Sequence, residues 1–160
     1  MKSTTTRHYR KNVAIVVVND TGEVLACHRA DLRNVWQIPQ GGINEGEAVE
    51  AAMFRELEEE IGTRDVEVIG KLPEPIIYDW PEELYKLGLQ RDFKGQEQVY
   101  FLVLLKDAAK INLANHKPQE FDKVEWVTSE EFLKRISGFK LRPYTEAIQK
   151  LRKSFPGVII

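Results

Sequence analysis

Glu56, Glu59 and Glu60 constrain this chain more than any other feature. The segment around them, from Ala48 to Gly62, has the apolar spacing of a helix, and residues three and four apart on a helix share a face. The three carboxylates therefore project together, within a fan of about 100°. Like charges at that spacing repel, and crowding makes it costly to keep all of them ionised. An acidic run of this kind is most often a solvated face. Neighbouring features point instead to a bound cation. Ala48, Val49 and Ala52 pave the same side with small residues, as a cleft wall would. Met53, Leu57 and Ile61 form the adjoining apolar stripe, with Glu50 as a misplaced acid in it, so the carboxylates flank the core. A Gly41-Gly42 turn precedes the helix, and glycine permits positive φ or close approach to a ligand. An all-oxygen donor set suits Mg, Mn or Ca, whereas zinc prefers His and Cys.

The same stretch carries a longer pattern. Gly41 is followed after five residues by Glu47, and Glu47 after seven by Arg55-Glu56-Leu57-x-Glu59-Glu60-x-Gly62-Thr63. Residues 41–63 resemble the box of the Nudix hydrolases; Thr63 alone departs, standing where the family has an aliphatic residue. The resemblance implies an α/β fold, the α/β/α sandwich with a mixed β-sheet, as a single domain over residues 1–160. It implies Mg2+ or Mn2+ as cofactor, about two or three ions with substrate bound. Their ligands would be Glu56, Glu59 and Glu60 with a backbone carbonyl at Gly41. It further implies that Glu47 and Arg55 tie loop to helix and orient those ligands. Without the resemblance, Arg55 would read as an exposed helix cation.

The length of 160 residues fits one domain, and 42% apolar residues suffice for a core. The net charge, 23 − 25 = −2, gives no global pull toward nucleic acid, so polyanion affinity must come from local patches and metal. Cys27 is the single cysteine, which excludes an internal disulfide and fits a reducing compartment and an inert, buried thiol. The N-terminal MKSTTTRHYRKN has no apolar stretch behind it, and the longest apolar runs are strand-sized. Neither signal peptide nor membrane span is expected, and the expected location is the cytoplasm. His8, His28 and His116 lack metal-ligand spacing and read as surface or structural.

Along the chain, Thr4-Thr5-Thr6 reads as an edge strand or as no element. Val13–Val18 and Val24–Arg29 flank the turn cluster Asn19–Gly22 and read as a hairpin, the first strand apolar enough to be covered on both faces. Trp36–Pro39 is a short strand ended by proline. Gly62 suits the C-terminal end of the acidic helix, and Val66–Gly70 alternates as a strand. Residues 71–96 are expected to form a long loop with a helical turn at Glu82–Leu87. Loops this long are usually functional. This one interleaves Tyr78, Trp80 and Tyr85 with Lys86, Arg91 and Lys94, a mixture suited to stacking on a base and pairing with phosphates. Aromatic loops more often plug a core edge. Glu97–Lys106 is the strongest strand, Asn112–Glu120 a loop, and Phe121–Val127 another strand. Thr128 and Glu131 have capping-box spacing and open a helix to Ile136. Pro143 fits the first turn of a last helix, Tyr144–Phe155. The apolar tail, residues 156–160, is expected to dock on the core or on another subunit.

The resemblance extends over roughly residues 8–150. The runs Tyr9–Asn12, Trp36–Asn44, Gly95–Leu102 and Gln119–Val127 are similar to one subgroup, the bacterial RNA pyrophosphohydrolases and the asymmetric dinucleoside tetraphosphate hydrolases. It implies that Glu120 is a further metal ligand or base, although spacing alone would favour an exposed loop acid. The general base stays open between Glu120 and a box glutamate. Arg10, Arg29 and Lys140 match positions that bind a phosphate chain, Phe139 an aromatic that stacks on a base, and Tyr78 in Tyr-Asp-Trp-Pro a base-stacking tyrosine. Lys11 stands where proline usually follows Tyr-Arg. The implied function is Mg-dependent removal of pyrophosphate from the 5′-triphosphate end of RNA. The alternative is cleavage of diadenosine tetraphosphate to ATP and AMP, and one enzyme could do both. The rival of a different class is a non-catalytic nucleotide- or RNA-binding module on the same fold, disfavoured by the presence of every charged box residue. The expected partners are 5′-triphosphorylated RNA and dinucleoside polyphosphates, with no membrane and no DNA sequence recognition; the oligomeric state stays open.

Overall fold

The structure, a computed structural model, describes residues 8–87 and 92–160; Thr4–Thr6, Arg91 and the side chain of Tyr85 lie outside the described residues. Along the chain run β1 (His8–Val18), β2 (Val24–Arg29), β3 (Trp36–Gln37), β4 (Gln40–Gly42), α1 (Val49–Ile61), β5 (Glu67–Lys71) and β6 (Ile76–Asp79). There follow α2 (Glu82–Lys86), β7 (Phe93–Leu104), β8 (Phe121–Val127), α3 (Ser129–Lys134) and α4 (Leu141–Ser154). Single 3-10 turns at Ala108–Lys110 and Gly138–Lys140 lie between β7 and β8 and between α3 and α4.

The apolar run of β1 explains the layers. Successive strand residues face opposite sides of a sheet. Val13, Ile15 and Val17 pack with Ala52, Met53, Leu57 and Ile61 of α1. Ala14, Val16 and Val18 pack with Phe132 of α3 and Tyr144, Ile148 and Leu151 of α4. Both faces are covered, as the run predicts, and the layers are α/β/α. One edge of β1 pairs in parallel with β7 along its length. Its other edge is antiparallel to β4 at Asn12–Ala14 and to β2 at the single pair Val18↔Val24. The sheet is therefore mixed.

Several local expectations need correction. β1 and β2 are hardly a hairpin, because β2 leaves β1 after Val24 to pair with β8 and β3. Gly41 and Gly42 form no turn; they lie in β4, and the positive φ falls on Gly46 (φ 78°), in the loop leading to α1. Residues 71–96 are not one loop. Ile76–Asp79 form β6, paired antiparallel with the start of β7, and Pro73, Pro75 and Pro81 bracket this strand without entering its ladder. β7 begins at Phe93, four residues before the expected start at Glu97, because its parallel partner β1 also extends into polar sequence. Ala52 is fully buried in the core and forms no cleft wall. Glu50 turns outward to Lys71, at 2.9 Å.

Other expectations hold. Gly62 ends α1 in the left-handed conformation (φ 79°). Thr128 accepts from the Glu131 amide at 3.0 Å, though the Glu131 carboxylate bonds Arg135 and leaves the capping box open. The tail docks on the core: Ile159 is buried, and the Ile160 amide donates to Gly22 O at 3.0 Å. Cys27 is buried, and burial pushes its thiol pKa well up. Among the described residues, no helix is long and apolar enough to cross a membrane.

Candidate active site

The site is built around one guanidinium. Arg55, in the middle of α1, donates from Nε to Glu47 Oε2 at 2.8 Å and from Nη2 to Glu47 Oε1 at 2.9 Å. Nη2 also donates to the Gly42 carbonyl at 2.8 Å, while Nη1 reaches Glu56 Oε1 at 2.7 Å and Glu59 Oε2 at 3.3 Å. Only a planar fork of donors serves so many acceptors at once. Glu47 in turn accepts from the Asn44 amide at 3.0 Å, so loop, strand β4 and helix are locked together. The paired guanidinium holds the Glu47 carboxyl down at about 2.

Glu56 and Glu60 are buried, 8% and 6% exposed, one turn apart on the face of α1 that meets β4. Glu60 Oε1 accepts from the Gln40 amide of β4 at 3.1 Å. Burial pushes the Glu60 carboxyl well above its ordinary range, and the adjacent Glu56 charge pushes it further. Burial also raises Glu56, against the pull of Arg55. Gly41 is the reason these carboxylates fit under β4: a Cβ there would overlap the Glu56 carboxylate. Glu59 is more open, and Glu120 is exposed at the entry to β8. Glu120 lies near enough to Glu60 to raise its pKa.

Among the described residues, no three His, Cys, Asp or Glu side chains stand as a ready-made cluster for an ion. Glu56 and Glu59 are turned onto Arg55 instead. The chemistry of the donor set nonetheless fits a hard divalent cation. It is all oxygen, it is crowded with negative charge that burial makes unfavourable, and a glycine leaves it room.

A cavity of about 530 Å3 reaches this cluster through Gln40, Gly41 and Glu120. Arg10, Arg29 and Lys140 line it, together with Trp36, Trp80 and Phe139. Arg29 is held in a two-pronged pair with Asp31, at 2.9 and 2.7 Å. Burial, then the nearby Arg29, lowers the Lys140 ammonium to about 8. Phe139 follows a glycine in the turn before α4 and is 37% exposed. Tyr78 is 5% exposed and does not line the cavity; it packs behind Phe139 and Trp80, at ring-centroid distances of 5.9 and 5.8 Å. The structure thus gathers Arg10, Arg29, Gly41, Glu120, Phe139 and Lys140 on one cavity and sets Tyr78 beneath its wall.

Several residues in this wall and just behind it were not singled out from the sequence. Gln40 bonds Glu60 through its amide and Tyr144 through its side chain, at 3.0 Å. Asn12, Gln98 and Tyr100 form a buried chain at 2.9 and 3.1 Å. Trp36 carries the Arg135 guanidinium over its ring at 4.6 Å. The signal for the glutamines was present: Gln96 and Gln98 alternate onto the same strand face as the apolar Tyr100, Leu102 and Leu104, where a polar residue needs a partner.

The chain belongs to the Nudix family: the NUDIX domain profile matches residues 8–147. It is 42% identical over 151 residues to a protein of Sulfurovum sp. (strain NBC37-1) named RNA pyrophosphohydrolase, spanning 92% of this chain and 95% of that one. It is 39% identical over 151 residues to a protein of the same name from Helicobacter pylori (strain G27), spanning 92% of this chain and 96% of that one. Among solved structures, the fold is similar to the E. coli dihydroneopterin triphosphate pyrophosphohydrolase (TM-score 0.63, 18% identity, 89% of this chain and 99% of that one). It is also similar to a C. elegans Ap4A hydrolase in a binary complex (TM-score 0.65, 17% identity, 91% and 99%).

Proposed function

We propose that this chain is a divalent-metal-dependent RNA pyrophosphohydrolase that removes pyrophosphate from a 5′-triphosphate end and leaves a 5′-monophosphate. What carries this reading is that Gln40 and Gly41, which lie against the Glu60 and Glu56 carboxylates, also line a cationic, aromatic cavity, in a chain 42% identical to a protein named for that activity. Glu56, Glu59, Glu60, Glu120 and the Gly41 carbonyl would hold Mg2+ or Mn2+. The cation, once bound, neutralises phosphate charge, polarises the phosphoryl oxygens and acidifies water. Arg55 keeps Glu56 and Glu59 oriented. Arg10, Arg29 and Lys140 pair with phosphate oxygens, and Phe139 stacks on a base. A carboxylate oxygen of Glu120 or of a box glutamate accepts the proton of the attacking water. The water oxygen bonds to one of the two phosphorus atoms that flank the α–β bridging oxygen, the bond from that phosphorus to the bridging oxygen breaks, and the bridging oxygen departs with the electron pair on the other fragment, giving pyrophosphate and a 5′-monophosphate end. A buried free thiol and the composition suit the cytoplasm as the place of action.

One observation favours a second substrate class. Aromatic walls come from two different elements, Trp36 on β3 and Trp80 with Phe139 elsewhere, and a dinucleoside polyphosphate brings two bases. The test is a side-by-side assay of triphosphate-ended RNA and diadenosine tetraphosphate at matched concentration, with Mg2+ and with chelator. The expected result is metal-dependent pyrophosphate release, fastest from RNA, and lost by several orders of magnitude in Glu60→Gln. Faster cleavage of diadenosine tetraphosphate makes the second class the main substrate. Binding of both without turnover identifies a non-catalytic module.

A further inference from the structure

Among the described residues, the buried side-chain polar atoms without a partner are Gln37 Oε1, Trp80 Nε1, Gln96 Oε1 and Arg135 Nη1. All four residues line the cavity beside the carboxylates. Buried polar groups are normally paired, so orphans gathered in one cavity point to partners that the protein itself does not supply.

Trp80 and Gln96 form a matched pair. They are 7% and 3% exposed. Tyr78 stands opposite Gln96 in the β6–β7 ladder, and the Trp80 amide continues that ladder by donating to Lys94 O at 2.8 Å. Residues two apart on a strand share a face, so Trp80 and Gln96 are diagonal neighbours on one face, roughly 7–8 Å apart along the backbone. Gly95 makes this approach possible, since a Cβ there would overlap the Tyr78 carbonyl. One end of the Gln96 amide is fixed by the Tyr78 hydroxyl at 2.6 Å, which leaves the other end free. The Trp80 indole N–H is a donor only. The free end of Gln96 is an acceptor or a donor according to which way the amide is turned. The partly exposed Phe139 ring lies 6.3 Å from the Trp80 ring and offers a stacking face in the cavity that Trp80 and Gln96 also line.

We propose that Trp80 and Gln96 read the edge of a nucleobase stacked at Phe139, and so determine the base preference of the enzyme at one of the first nucleotides of its RNA substrate. The inference rests on the RNA reading above. Phosphates are served by Arg10, Arg29 and Lys140, whereas an uncharged indole N–H next to a carboxamide matches the neighbouring polar groups of a base edge. A site built to hydrogen-bond a substrate group discriminates strongly against analogues that lack it.

The test measures KM and kcat on triphosphate-ended oligonucleotides that carry each of the four bases at the first and at the second position in turn. It compares wild type with Trp80→Phe, which keeps the ring and loses the donor, and Gln96→Met, which keeps the length and loses the amide. Equilibrium binding of the same oligonucleotides is measured in parallel. Wild type is expected to favour one base at one position by at least about tenfold, and either variant to reduce that preference to within about threefold through a higher KM for the favoured base. An even loss across all bases, a retained preference in both variants, or less than threefold discrimination by wild type overturns the proposal. If wild type hydrolyses no triphosphate-ended RNA, the RNA reading fails on its own. The binding preferences of the variants then decide the base-reading claim by the same criteria.

Discussion

At the scale of single residues, small differences in bulk and charge decide whether the carboxylates are usable. Gly41 is required for room, not for an unusual backbone angle. In Gly41→Ala the new methyl meets the Glu56 carboxylate and pushes it off β4. Misplacement by about 1 Å is enough to cost about 100-fold in rate, so kcat is expected to fall at least that far while circular dichroism and the thermal midpoint stay near wild type. Lys140 carries a pH signature. Burial favours its neutral form and brings its pKa to about 8 in the free protein. Phosphate favours the charged form, so substrate binding takes up a proton above that pH. KM is therefore expected to climb about tenfold per unit as pH rises past 8, a slope absent from Lys140→Met, which is weak throughout. A pH-independent KM in wild type between 7 and 10 would remove Lys140 from the phosphate site.

At the scale of elements, α1 is where sequence and structure agree most closely, because its constraints are local. Apolar spacing sets its buried face, Gly62 sets its end, and charges at fixed intervals sit on one side whatever the rest of the chain does. Gly62 combines positive φ with a tight contact, since an added Cβ would overlap Asn112 O, whose own amide bonds the Ile61 carbonyl at 2.8 Å. Gly46 has a similar φ of 78° but open space around it. Urea unfolding should therefore separate the two: Gly46→Ala loses about 1 kcal/mol for the left-handed backbone, and Gly62→Ala at least about 2 kcal/mol. β6 is the contrasting case. Its four residues, fenced by prolines, include β-forming Ile76, Ile77 and Tyr78 but are too short to declare themselves a strand; they become one because β7 offers them an edge to pair with. The hairpin expected from Val13–Arg29 fails for the same kind of reason. The turn is local, but which neighbours β1 and β2 take is decided by β4, β7 and β8.

At the scale of the whole molecule, the sandwich holds a crowded, partly buried acidic cluster under β4, which pairs with the middle of β1, and a cation should relieve the crowding. Mg2+ at about 100 times its dissociation constant stabilises by about 2.7 kcal/mol, or roughly 5–10 °C for a domain of this size. That shift should be visible by scanning fluorimetry and absent from a Glu56→Gln/Glu60→Gln double variant. Without metal, the double variant relieves the buried crowding but loses the Arg55–Glu56 pair at 2.7 Å, so its midpoint should stay close to that of wild type. A wild-type midpoint that ignores Mg2+ and Mn2+ would remove the cation from the site. By itself the sequence determined the acidic helix and, through the family resemblance of residues 41–63, the layer architecture and the Arg55 and Glu47 supports. The helix follows from periodicity and the resemblance from residues at short, fixed spacing, and both survive any arrangement of the remaining elements. Only the tertiary structure decided that Arg10, Arg29, Phe139 and Lys140 share a cavity with Glu120, that Tyr78 lies behind its wall, and that Trp80 and Gln96 stand side by side. Those residues come from β1, β2, β6 and the residue just after it, β7, the entry to β8 and the turn before α4, and their proximity depends on strand order and register, which no local pattern encodes.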